Sequence, residues 1–143
     1  MLKIQLNNSN HRRIEFTEKS SHSHAFLNYG YQILLSTFNK EIVANGYLTQ
    51  IGLFHKNMFN YYNLSSDLME PFRVIIDELA YKENPQKFEK DEKRKLQNIL
   101  NFKYRINENN HYLSEVIKIY TKSIFDALNS NDLSLVRFFS DEL

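Results

Sequence analysis

The stretch LNYGYQILLSTFNKEIVANG, residues 27–46, decides the fold. Its apolar positions Leu27, Tyr31, Leu34, Phe38 and Ile42 recur at steps of four, three, four and four. That spacing lines one face of an α-helix with apolar side chains. Gly46 stands where a helix that has run its course places its left-handed stop. A helix is therefore expected from about Ser23. Gly30 falls inside it at a cost in backbone entropy, so another element should pack closely there.

Further along, YLTQIG reads as a turn, and RVIIDELAYK as a second helix with Phe72, Ile75 and Leu79 inward. Pro71 marks the start of that helix or kinks it. After the break ENPQ, the run KFEKDEKRKLQNILN has an amphipathic pattern that turns Phe88, Leu96, Ile99 and Leu100 inward. FKYRI is expected to be a short extended connector. Asn110 suits the N-cap of a last long helix burying Leu113, Ile117, Tyr120, Ile124 and Leu128. DLSLVRFF should close the chain as a short helix. At the other end, Leu2, Ile4 and Leu6 alternate with polar residues, NNSN is a turn signal, and Ile14 and Phe16 alternate again. This is the period of a short β-hairpin. The fold class is mainly α, a helical bundle with a short N-terminal hairpin. Residues 1–22 form an extension and residues 23–143 one helical domain.

Bulk composition agrees. The chain has 143 residues, enough for one domain with a real core, and only 3 glycines and 2 prolines, which favours helices over a turn-rich β fold. With no cysteine it has neither disulfides nor thiolate metal sites, as suits a reducing compartment. No apolar run approaches the roughly 20 residues of a membrane helix, nor does the N-terminus carry a signal-peptide core. A soluble, cytoplasmic protein with no membrane partner is expected. The net charge of +1 selects no partner.

Chemistry concentrates in GLFHKNMFNYYNLSSDLMEPFR, residues 52–73, an aromatic segment that also holds His55, Asp67 and Glu70. Burying charge is costly unless the group is paired or holds a metal. Asp67 and Glu70 are three apart and would share a helical face. A histidine with two carboxylates and no sulfur suits Mg²⁺ or Mn²⁺, the imidazole favouring Mn²⁺. The competing reading is that the two acids merely decorate a helix N-terminus. Lys56 and Arg73 bracket the segment and would meet a phosphodiester beside a metal, Arg73 bidentately. His11, His22, His24 and His111 lack a set of ligands around them and are read as solvated. The run KFEKDEKRK is read as a solvated helix face with ion pairs.

LNYGYQILL (residues 27–35), EIVANGYLTQIGLFHKNMFNYYNLSSDLMEPFRVIID (residues 41–77) and the helices after them resemble the C-terminal helical domain of the CRISPR-associated endonuclease and integrase, type II branch. The resemblance runs from about Ala25 to the end. It implies a homodimer that joins a second adaptation protein and inserts short DNA into a CRISPR array. The chemistry it implies is metal-dependent attack of a DNA 3′-hydroxyl on a phosphodiester, together with cleavage of branched DNA. By motif His55 and Glu70 are the catalytic metal ligands and Asp67 is a weaker neighbouring acid, while Arg73, just past the motif's proline, takes a phosphate contact or a supporting role behind the ligands. Lys56 is a DNA contact by its place in the segment alone.

The family's metal also takes an upstream glutamate from a helix that would fall at or before Met1. Glu15 and Glu18 are the only acids available upstream and lie in a strand-like context. The chain is accordingly expected to be a fragment holding two of three ligands, with the aromatics of residues 52–73 serving as core behind the site. The alternative is a non-catalytic helical remnant that binds DNA or a partner protein.

Overall fold

The computed structural model describes residues 21–140, so the hairpin expected near the N-terminus lies outside the described residues. Five α-helices are described: α1 Ser21–Ala44, α2 Asn63–Met69, α3 Arg73–Glu83, α4 Lys90–Gln97 and α5 Leu113–Ser130. Between α4 and α5 a two-stranded antiparallel sheet intervenes, β1 Lys103–Ile106 and β2 Asn109–Tyr112. Short 3₁₀ turns cover Glu70–Phe72, Asn98–Asn101 and Leu133–Leu135. The architecture is a mainly helical bundle.

α1 is its axis. Of the predicted stripe it buries Leu27, Leu34, Phe38 and Ile42, together with Phe26 and Gly30, while Tyr31 is half-buried; the helix touches α2, α3, α4 and α5. The close approach expected at Gly30 is present: a Cβ there would stand 2.6 Å from Ile76 Cγ2 and 3.1 Å from Leu96 Cδ2. Gly46 ends the helix at φ 83°.

Aromatic rings fill the centre. Phe72, fully buried in the 3₁₀ turn, packs edge-on to Phe38 and Tyr120 with both ring centroids 5.1 Å away, and against Phe139 at 4.5 Å. Such offset and edge-to-face pairs add to the area they bury. α1, the Pro71 turn, α5 and the C-terminal tail thus meet at one residue. Pro71 sits at the entry to α3, the first of its two expected placements.

Three expectations need correction. Residues 103–112 form a hairpin, not a connector leading to a cap at Asn110. Asn109 pairs with Ile106 and Tyr112 with Lys103, and α5 opens at Leu113. Asn107 and Glu108 both take positive φ, 50° and 65°, the backbone of a type I′ turn whose twist matches paired strands. The tail is mostly extended rather than helical after Leu135. Ser140 exchanges backbone hydrogen bonds with Arg105 on β1, and Ser123 Oγ accepts the Arg137 N–H at 3.0 Å. Sheet pairing satisfies backbone groups that a short, isolated helix would leave open. Leu128, in the last turn of α5, is exposed rather than buried.

Candidate functional site

Between α1 and α2 the chain makes a long irregular loop, residues 45–62, held by polar anchors. Thr49 Oγ1 donates to the Tyr61 carbonyl at 2.7 Å, and Leu64 N–H donates to the Thr49 carbonyl at 2.8 Å. The buried amide of Asn63 donates to the carbonyls of Gln50 and Asn57, at 2.9 and 2.8 Å, closing the loop across its width. The Asn57 and Asn60 side chains accept the N–H groups of Phe59 and Tyr62, each two residues on, as asparagine turns do.

Asp67 holds the part of the loop that carries His55. Its side chain is 1% exposed and lies in the second half of α2, past the first turn where a carboxylate would merely meet the helix dipole. Asp67 Oδ2 accepts the N–H groups of Leu53 and Phe54 at 2.6 and 2.9 Å, and Oδ1 accepts that of His55 at 3.2 Å. Oδ1 also meets His55 Nδ1. Burial by itself would raise the carboxyl pKa. The Phe54 N–H, the His55 ring and the N–H groups of His55 and Leu53 outweigh it and hold the group below its ordinary value. Gly52 is required by this wrapping, since a Cβ there would stand 2.3 Å from the His55 carbonyl and 2.8 Å from Asp67 Oδ2.

With Nδ1 turned to Asp67, a neutral imidazole donates from Nδ1 and carries its lone pair at Nε2. The His55 side chain is 54% exposed, and Nε2 makes no hydrogen bond among the described residues, which leaves its lone pair available to a ligand. One turn beyond Asp67, Glu70 is exposed and lies beside Arg73, whose Nε is 3.0 Å from Glu70 Oε2. The Nε–H does not align with that oxygen, so the contact is an ion pair rather than a directed hydrogen bond. The guanidinium lies over the Tyr31 ring, 5.0 Å from its centroid.

Of the predicted site residues, the structure joins His55 to Asp67 and Glu70 to Arg73, and gives the two acids different partners. Lys56 is exposed with no ion pair among the described residues. His22 and His24 are exposed on the first turn of α1, and His111 lies on β2, with Nδ1 3.7 Å from Glu115 Oε2. The charged run is a surface face: Lys87 pairs with Glu89, Lys95 with Glu83, and Glu89 and Glu92 form a capping box at the start of α4. The expectation that the aromatics of residues 52–73 are core holds for Phe72 but fails in the loop. Phe54 is 78% and Phe59 82% exposed, with Met58, Tyr61 and Tyr62 also at the surface. Polar anchors fix this loop, so its rings need not pack for it to hold shape. Thr49, Gly52 and Asn63 carry that structure. The glycine and asparagine were visible in the segment, but their long-range partners were not.

The fit to a divalent cation is partial. His55 Nε2 and the Glu70 carboxylate are suitable donors, whereas the Asp67 oxygens are filled by four hydrogen-bonding groups. No three His, Asp or Glu side chains converge on a common point among the described residues.

A family model described as CRISPR associated protein Cas1 matches residues 18–105, more than half of the chain. A CRISPR-associated endonuclease Cas1 from Neisseria meningitidis serogroup C (strain 8013) is 34% identical over 64 residues, which cover 44% of this chain and 21% of that protein. Among solved structures, a casposase bound to integration product superposes with a TM-score of 0.68 at 23% identity, over 92% of this chain and 42% of the other. The last likeness is one of fold. The chain spans about a fifth of the curated relative and less than half of the casposase chain.

Proposed function

Because this chain belongs to the CRISPR associated protein Cas1 family, we propose that it is the helical catalytic core of a DNA endonuclease and integrase of CRISPR adaptation. Its substrates would be DNA, both the captured segment and the array that receives it. Its partners would be a second copy and a second adaptation protein, in the cytoplasm. In this reading His55 Nε2 and Glu70 are two donors to Mn²⁺ or Mg²⁺, and a third lies outside the described residues. A cation bound there supplies polarisation of the phosphorus centre and stabilisation of the leaving oxygen.

The remaining roles belong to side chains of the chain itself. Asp67 fixes the His55 tautomer and the loop that bears it, as outer carboxylates do for ligating histidines. Arg73 shields Glu70 until substrate arrives and then offers its guanidinium to a phosphodiester. Lys56 adds a point charge at the loop tip. The observation that carries the reading is the Asp67 contact with His55, which leaves Nε2 open within the matched motif. The curated endonuclease relative supports it.

Incubation of branched DNA with the chain and Mn²⁺ tests this. Nicking that disappears in His55→Ala and Glu70→Gln is the expected result, and nicking that survives both would contradict it.

A second reading, a non-catalytic helical module that binds DNA or protein, draws on the exposed apolar loop and the incomplete donor set. DNA binding without cleavage would favour it.

A further inference from the structure

Arg73 stands between two carboxylates near it in sequence, Glu70 three residues before and Asp77 four residues after. Both spacings suit an ion pair on a helical surface. Only Glu70 has one, at 3.0 Å. Asp77 is occupied from another element: the hydroxyl of Tyr31, on α1, donates to Asp77 Oδ1 at 2.5 Å. The same Tyr31 ring underlies the Arg73 guanidinium, 5.0 Å from centroid to Cζ. Burial and then the Asp77 carboxylate raise the Tyr31 phenol well above its ordinary pKa, so the hydroxyl stays a donor at any physiological pH.

We infer that Tyr31 is a positioning residue: by engaging Asp77 and seating the guanidinium on its ring, it commits Arg73 to the Glu70 side, where a DNA phosphate would be met. The inference rests on the reading of Glu70 and Arg73 proposed above. It adds a division of labour between two acids that both lie within pairing distance of Arg73 in sequence. The ring contributes a cation–π contact, and the hydroxyl removes a competing anion. The contact is built from two helices that the core already locks together, so α1 reports directly on the site.

The test separates hydroxyl from ring. Tyr31→Phe keeps the ring and frees the Asp77 carboxylate to capture Arg73. The Arg73 Nε–H resonance should shift, and affinity for a short fluorescein-labelled single-stranded oligonucleotide, with metal chelated, should fall about fivefold to tenfold. Adding Asp77→Asn removes the competing charge and should restore both. A merely structural role for Tyr31 predicts no such restoration. The inference is overturned if Tyr31→Phe folds and leaves the resonance and the affinity at parental values, or if the double variant folds and recovers neither. Arg73→Ala is the control. If it binds the oligonucleotide as tightly as the parent, the phosphate role of Arg73 fails, and the resonance alone decides whether Tyr31 positions it.

Discussion

Asp67 is a carboxylate whose four contacts converge on three consecutive residues, Leu53, Phe54 and His55. Asp67→Ala would strip three N–H groups of their acceptor, and is expected to cost about 1–3 kcal/mol in chemical denaturation. It should also broaden the His55 ring resonances, because the ring loses its anchor. Unchanged stability with a sharp, unshifted ring signal would contradict this role. Gly52→Ala should do similar damage by another route, since its Cβ would strike the His55 carbonyl. Asparagine shows how far sequence reading went. Asn84, Asn107 and Asn131 occupy left-handed backbone positions that are ordinarily left to glycine, of which the chain has only three. Asn tolerates that region better than other L-residues because its short amide hydrogen-bonds locally. No local pattern announces which asparagine will do so.

Among the elements, α1 was legible because burial along one face forces the 3.6-residue period, and Gly30 was legible as a close approach. Gly30→Ala would gain roughly 1 kcal/mol of helix propensity. It would also press a methyl into Ile76, a β-branched side chain with no exposure. Overpacking of this kind typically costs about 1–3 kcal/mol. The variant is expected to melt lower than the parent, and Gly30→Ala with Ile76→Ala should lose less than the two single losses added. Strict additivity would argue against the contact. The 103–112 hairpin was not legible, because its turn is Asn-Glu, without the glycine that usually signals a type I′ turn. α4 begins with a capping box, in which Glu92 accepts the Glu89 N–H at 2.9 Å. That bond does most to hold the Glu92 carboxyl below the ordinary glutamate range. A depressed folded pKa contributes stability that is fully present above the ordinary glutamate pKa and lost as pH falls through the folded value. The Glu89 amide resonance should therefore titrate with a midpoint below that of an unperturbed glutamate, and a midpoint above it would refute the box.

For the whole molecule, apolar periodicity in sequence was enough to foresee a helical bundle, because its core is built from one stripe per helix. The loop that presents His55 was not foreseeable in the same way. It is shaped by side-chain to backbone bonds across 12 to 14 residues, from Asp67, Asn63 and Thr49, and it leaves Phe54 and Phe59 in solvent. His55, Asp67 and Glu70 could be named from the motif, but not the division between an anchoring acid and an open one. In the function proposed above, His55 and Glu70 are the donors this domain offers to a cation, with Asp67 behind them. Titration of the isotope-labelled chain with Mn²⁺, read as paramagnetic broadening, tests it most directly. Broadening should centre on the His55 ring and the Glu70 side chain and vanish in the His55→Ala, Glu70→Ala double variant. Broadening centred elsewhere, or undiminished in that variant, would contradict the claim.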